Sequence, residues 1–174
     1  MKTLVLGALL CSWVSASLAV LPSRELLSTC LSAEATSASV QLQAIPTNEV
    51  VSDDDYRRGY QAPYLIQVEG RDLGYAQKGE SHALIYRKQV FPLRQATNIS
   101  GKEGKPVAFD PHLAEWLLVS QGNERFICVS FNFDGLGRSG RFQQVRGAYL
   151  LPANGPTRLL FTVGRIQAKG AAEK

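Results

Sequence analysis

The chain has 174 residues, of which 45% are hydrophobic and 20% are charged, and its net charge at pH 7 is +4. This length suits one globular domain that can bury its own hydrophobic core. The net charge is too small to indicate a nucleic-acid-binding protein, and we expect no nucleic-acid partner.

The N-terminus has the three parts of a secretory signal peptide. Lys2 supplies a positive charge, residues 4–14 form an apolar run, and small residues follow. This order of a charged start, a short apolar middle and small residues before the cut is typical of a cleaved leader. The sequence therefore predicts a signal peptide over residues 1–19 and an exported protein.

The small residues also indicate where the leader is cut. Ser17 and Ala19 best fit the third and first positions before the cleavage site, so the mature protein is expected to begin at Val20. Cleavage after Ala16 is the alternative. No later stretch is long and apolar enough to span a bilayer, so we expect no membrane span after cleavage.

Cleavage removes Cys11 and leaves two cysteines, Cys30 and Cys128. In an exported protein this even count predicts a disulfide bond between them, because the compartments outside the cytoplasm are oxidising. Two buried free thiols are the alternative. The expected localisation is periplasmic or secreted.

The mature chain begins with a predicted helix. Ser23 is a suitable cap, and the apolar residues that follow have helical spacing and place Cys30 on the apolar face. Residues 40–44 alternate apolar and polar, which predicts a half-buried strand. Residues 46–60 are polar and acidic without an apolar period, which predicts a long exposed loop.

Strands are predicted over residues 64–69 and 82–91, with turns at the glycines between them. Residues 109–122 are ambiguous: Asp110 and Pro111 favour a helix start, whereas the apolar residues pair well with a later strand. We favour a helical turn at 111–113 followed by a β-hairpin.

The second strand of this hairpin, residues 125–133, has the clearest alternation in the chain. Two further strands are predicted over 145–151 and 158–166. Residues 20–166 are thus expected to form one mainly β domain, a small antiparallel sandwich or open barrel of about seven strands with a short N-terminal helix. Residues 167–174 are expected to be a disordered tail.

The segment from Gly135 to Gly140 matches the pattern G-x-G-x-x-G but does not predict a dinucleotide site. Such a site needs a helix after the glycines and an acidic residue about 20 positions later. Here residues 141–151 look extended, and residues 159–161 are apolar. A glycine-rich hairpin loop explains the pattern, and no cofactor is expected.

Catalytic and metal-ligating residues are sparse. The two histidines, His82 and His112, are most simply surface or structural residues, although Asp110 and a serine can form a hydrolase triad with His112. The two histidines are far apart in sequence and the two cysteines are expected to be bonded to each other. No set of ligands with the spacing of a zinc site remains, so no metal is expected. Asn98 begins an N-glycosylation sequon, Asn98-Ile99-Ser100, in a predicted loop.

The segment 132–147 combines glycines with arginines and has a single acidic residue. Arg138, Ser139, Arg141 and Arg146 are the candidate binding residues, because arginine forks and converging backbone N–H groups bind anions. The alternative is a hairpin whose arginines keep a sheet edge soluble.

The sequence therefore predicts an exported, non-enzymatic binding or accessory protein of the cell envelope or extracellular space. The Arg/Gly-rich segment is its expected contact surface for a protein or an anionic envelope component. The alternatives are a small secreted hydrolase that uses His112 and Asp110 with a serine, and a structural subunit of an envelope assembly.

Overall fold

A computed structural model describes residues 21–101, 104–133, 144–154 and 158–166. The predicted leader, 1–19, and the predicted tail, 167–174, lie outside the described residues and stay predictions. Among the described residues, no helix is long and apolar enough to cross a membrane.

The predicted N-terminal helix is confirmed as α1, Arg24–Ser32. Ser23 caps it, because its Oγ accepts a hydrogen bond from the Leu26 N–H at 3.1 Å. Ala33 follows its last turn with a φ of 54°, the left-handed conformation that commonly ends helices. Leu26 and Cys30 lie on the buried face.

Eleven strands follow in the described part of the chain. They are β1 (Gln41–Ala44), β2 (Val51–Arg57), β3 (Tyr60–Val68), β4 (Arg71–Lys78), β5 (Ser81–Tyr86), β6 (Gln89–Pro92), β7 (Thr97–Asn98), β8 (Glu115–Gln121), β9 (Glu124–Asn132), β10 (Val145–Pro152) and β11 (Leu160–Arg165). A 3-10 turn, Leu93–Gln95, separates β6 from β7.

The strands form two sheets, which confirms the mainly β class. Strands β2 to β6 form a five-stranded antiparallel meander, and the other sheet has six strands in the order β1-β8-β9-β10-β11-β7. All pairs are antiparallel except β11 with β7. The predicted hairpin is β8–β9, closed where Gln121 pairs with Glu124. Over the described ranges, the sheets do not close into a barrel.

The expectation of a loop over residues 46–60 is wrong, because this segment contains β2. This strand is the outermost of its sheet, and its pairing with β3 shifts register twice. All of its residues except Tyr56 are exposed. Hydrophobic and polar residues alternate in a strand when one of its faces is buried. The edge strand β2 has no buried face, so its exposed, acidic sequence lacks this alternation.

The predicted strand over residues 82–91 is two strands, β5 and β6. They are joined by Arg87 and Lys88, whose φ angles are 51° and 63°. Two-residue hairpin turns need this left-handed backbone, which asparagine and glycine usually supply. Because arginine and lysine are not typical residues of such turns, the sequence did not indicate a turn at this position.

The main core lies between the two sheets and is rich in aromatic rings. Its largest contributors are Tyr64, Ile66, Leu73, Tyr75, Leu84 and Tyr86 from the five-stranded sheet and Trp116, Leu118, Ile127, Val129, Phe131, Tyr149, Leu151 and Phe161 from the other. The ring of Tyr64 stacks on that of Trp116 with centroids 5.0 Å apart, which joins the two sheets directly.

A second core lies between α1 and the outer face of the six-stranded sheet. It contains the disulfide Cys30–Cys128, whose Cα atoms are 5.9 Å apart and whose residues are fully buried. The predicted bond is therefore confirmed, with α1 on the Cys128 face of β9. In the chain-entropy model a bridge over a loop of this length stabilises the fold by about 4–5 kcal/mol.

Candidate functional site

The connection from β7 to β8 closes one end of the sandwich. This connection leaves β7 at one edge of the six-stranded sheet and enters β8 next to the other edge. Its residues 106–113 are called the strap below. The Tyr149 hydroxyl donates to the Val107 carbonyl at 2.7 Å, and Trp116 Nε1 donates to the Pro111 carbonyl at 3.0 Å. These core side chains hold the strap in place.

Phe109 is the centre of the strap. Its ring lies 4.7 Å from that of Phe131 and 5.8 Å from that of Tyr149, both in the six-stranded sheet. It also meets Tyr75 of the five-stranded sheet edge-on at 5.0 Å. One strap side chain therefore packs against both sheets at the open end of the core.

A cleft of about 540 Å³ lies beside this ring, between the strap and the five-stranded sheet. It is lined by Pro63, Tyr75, Gln77, His82, Ala108, Phe109, Asp110, Pro111 and His112. The chain's two histidines, which the sequence places 30 positions apart, thus line the same cleft. We call it the strap cleft.

His82 is oriented by a buried tyrosine. The Tyr75 hydroxyl lies 2.8 Å from His82 Nδ1. Which of the two atoms donates depends on the tautomer of the ring, and in either case Nε2 is the ring nitrogen left for another partner. Burial raises the pKa of Tyr75 to about 12, a net shift in which a hydrogen bond with the Phe109 backbone opposes burial and the nearby Asp110 carboxylate adds a smaller increase. Tyr75 is therefore a neutral hydroxyl at physiological pH.

His112 is held differently. Its backbone N–H donates to Asp110 Oδ1 at 2.9 Å, and its ring meets the Tyr64 ring edge-on at 5.1 Å. The Asp110 carboxylate thus closes a turn of the strap through the backbone, whereas in a Ser-His-Asp triad the carboxylate binds the histidine ring. Among the described residues that line the strap cleft, none is a serine, threonine or cysteine.

Two smaller recesses continue along the strap. One of about 360 Å³ lies on the side of β5 and includes Glu80, Ser81 and Arg94. The other, of about 300 Å³, includes Leu113 and Phe133. Both share Ala108 with the strap cleft, so one end of the molecule presents a continuous indented surface.

Three of the four predicted binding residues, Arg138, Ser139 and Arg141, lie outside the described residues. The attachment points of their segment are described: the Phe133 N–H donates to the Val145 carbonyl at 3.0 Å. These points are at the strap end, because β9 ends there and Phe133 lines the recess beside Leu113.

Arg146, the fourth predicted residue, is half-buried on the helix face of the six-stranded sheet. Its Nη2 donates to Ser130 Oγ at 3.0 Å and its Nη1 to Asn132 Oδ1 at 3.1 Å, while Ser130 Oγ donates to the Leu31 carbonyl at 3.0 Å. Burial lowers the pKa of Arg146, and the Glu115 carboxylate opposes this shift. The guanidinium therefore links β9, β10 and the end of α1.

Metal binding has no candidate in the part of the chain that the structure describes, since no three His, Cys, Asp or Glu residues are grouped there. The sequence matches no protein-family model, and comparison with curated proteins and with solved structures found no match.

Proposed function

We propose that the protein is an exported, non-enzymatic binding protein whose contact surface is the strap end of the sandwich. Its partner is a protein or an envelope or extracellular component with anionic groups. One observation carries the proposal: His82 and His112 line the strap cleft at the same end where the segment containing Arg138 and Arg141 is attached.

The polar groups of the cleft suit binding by hydrogen bonds. The Tyr75 contact occupies Nδ1 of His82 and leaves Nε2 for another partner, and the Gln77 amide and the His112 ring add further polar groups on two walls. A few fixed polar groups on an otherwise apolar surface are typical of ligand sites. The arginine forks of the adjoining segment add charge and bidentate geometry for carboxylate or phosphate.

The geometry of Asp110 favours binding over hydrolysis. Its carboxylate oxygen already accepts the His112 backbone N–H. General-base catalysis by His112 needs a nucleophile within hydrogen-bond reach, and the described lining residues of the strap cleft supply none. The disulfide and the predicted leader support a location in an oxidising compartment.

The test compares two double variants with the same loss of charge. The mature protein is applied to a column of immobilised sulfated polysaccharide and eluted with salt. Arg138→Ser with Arg141→Ser should elute at clearly lower salt, because two exposed ion pairs of up to about 1 kcal/mol each correspond to up to about thirtyfold in affinity.

The control, Arg24→Ser with Arg71→Ser, removes two exposed arginines at the other end of the sandwich. It should elute close to the wild type. Equal shifts for the two variants would mean that the column responds only to net charge, and the proposed contact surface would be rejected. His112→Ala should add to the loss if the cleft takes part.

A further inference from the structure

One edge of the six-stranded sheet is formed by β7, which is only two residues long. The Thr97 N–H donates to the Leu159 carbonyl at 2.9 Å, and the Ile99 N–H donates to the Phe161 carbonyl at 2.8 Å. Because successive residues of a strand point their backbone groups to opposite sides, the N–H and C=O of Asn98 face away from β11. Asn98 is therefore the β7 residue whose backbone groups are turned away from β11.

The Asn98 side chain is exposed, and hydrogen bonds with Ser100, the third residue of the sequon, hold it in place. Its Oδ1 accepts hydrogen bonds from the Ser100 backbone N–H at 3.0 Å and from Ser100 Oγ at 2.6 Å. Its Nδ2 donates to the Gly104 carbonyl at 2.7 Å. The amide nitrogen carries two hydrogens, so one remains beyond this bond.

The Gly104 carbonyl reaches Asn98 because the backbone there takes a conformation that suits glycine. Gly104 has a φ of 101°, and a Cβ at this position would lie 2.8 Å from Cγ1 of Val163. The loop after β7 is thus packed on the sheet while the Asn98 side chain stays at its surface.

We propose that Asn98 is an N-glycosylation site when the chain is exported through a secretory pathway that transfers oligosaccharides, and that the glycan covers the open edge at β7. The donor is a lipid-pyrophosphate-linked oligosaccharide. A bond forms between Asn98 Nδ2 and the anomeric carbon, and the bond from that carbon to the pyrophosphate oxygen breaks with its electron pair on the oxygen. Nδ2 loses one proton to the transferase.

The modification is compatible with the folded loop. Glycosylation replaces one Nδ2 hydrogen, and the second can keep the bond to the Gly104 carbonyl. A bulky, hydrophilic group beside the outward N–H and C=O of Asn98 hinders another strand from pairing there. Natural sheets protect their edges by such obstruction, because an unpaired strand edge promotes aggregation.

The experiment uses the full chain with its leader, secreted from yeast or insect cells. The intact mass of the product is measured before and after an amidase that releases N-glycans and leaves aspartate at the attachment site. The expected result is a single glycan on the wild type, with aspartate at position 98 after release. The asparagines outside the sequon should be unchanged; they are Asn48, Asn123, Asn132 and Asn154.

Three variants sharpen the test. Asn98→Gln and Ser100→Ala should be secreted without a glycan, whereas Ser100→Thr should keep it because threonine also completes the sequon. A secreted wild type of unmodified mass, or a glycan that persists in Ser100→Ala, would overturn the site. For the edge, the released protein should aggregate faster on heating than the glycosylated one, and equal rates would overturn the protective role.

Discussion

The Tyr75 hydroxyl lies 2.8 Å from Nδ1 of His82, and this contact connects the core of the protein to its candidate binding surface. Tyr75 is almost fully buried in the inter-sheet core, whereas His82 lines the strap cleft. A change in the charge of the tyrosine would therefore affect the fold and the cleft together.

High pH should unfold the protein through its buried tyrosines. The pKa of Tyr75 is raised to about 12, so folding favours the neutral hydroxyl. The resulting stability is fully present below the unfolded pKa of about 10 and is lost as the pH rises through about 12, roughly 2–3 kcal/mol in all. Urea unfolding at pH 8 and pH 11 measures about half of this loss, because pH 11 lies midway between the two pKa values, and Tyr75→Phe should reduce it. An equal pH dependence in this variant would contradict the assignment.

Removing the Phe109 ring should destabilise the protein, because this side chain packs against both sheets. For Phe109→Ala we expect a loss of about 2–4 kcal/mol in the free energy of unfolding, measured with denaturant. Leu113→Ala is the matched control on the same strap, since Leu113 is 58% exposed. It should change stability by less than about 0.5 kcal/mol. Similar losses in both variants would mean that the strap does not act through Phe109.

Arg146 should contribute to stability rather than to contact with a partner. Arg146→Ala leaves Ser130 and Asn132 without their guanidinium partner and should cost about 1–3 kcal/mol. Arg71→Ala removes the same charge from an exposed position and should be nearly neutral. On the anionic column the two variants should elute together. Earlier elution of Arg146→Ala alone would assign Arg146 to the contact surface.

The disulfide should protect both cysteines from reagents. Cys30 and Cys128 are fully buried, so the native, unreduced protein should not react with an alkylating reagent. The double variant Cys30→Ala, Cys128→Ala should lose about 2–5 kcal/mol of stability and unfold at a lower temperature. Rapid alkylation of two thiols in the native protein would contradict the bond.

The sequence predicted well those parts of the fold in which buried and exposed residues, or residues facing two different cores, recur at a regular spacing. β9 is the clearest example: Ile127 and Val129 face the inter-sheet core, whereas Phe126 and Cys128 face α1, as the alternation indicated. The helix cap at Ser23 was also predictable, because capping depends on a few neighbouring residues.

The candidate site was less predictable because it depends on contacts distant in sequence. His82 lies in β5 of the five-stranded sheet and His112 in the strap, and no local sequence pattern indicates that the strap crosses the end of the core. The signal that did exist was Asp110-Pro111, which marked a turn immediately before β8. Propensity and periodicity place residues on elements, whereas the meeting of two elements follows from the packing of the whole chain.

The disulfide between α1 and β9 has a consequence for the predicted export of the chain. If the chain crosses a membrane from its N-terminus, Cys30 emerges long before its partner, since the two cysteines are separated by 98 positions. The only other cysteine, Cys11, belongs to the predicted leader, so a mature chain has no incorrect partner within itself. Until residue 128 has crossed, Cys30 can form a disulfide only with another molecule. Under this predicted export, oxidative misfolding is an intermolecular event, whose rate rises with the number of chains crossing at the same time.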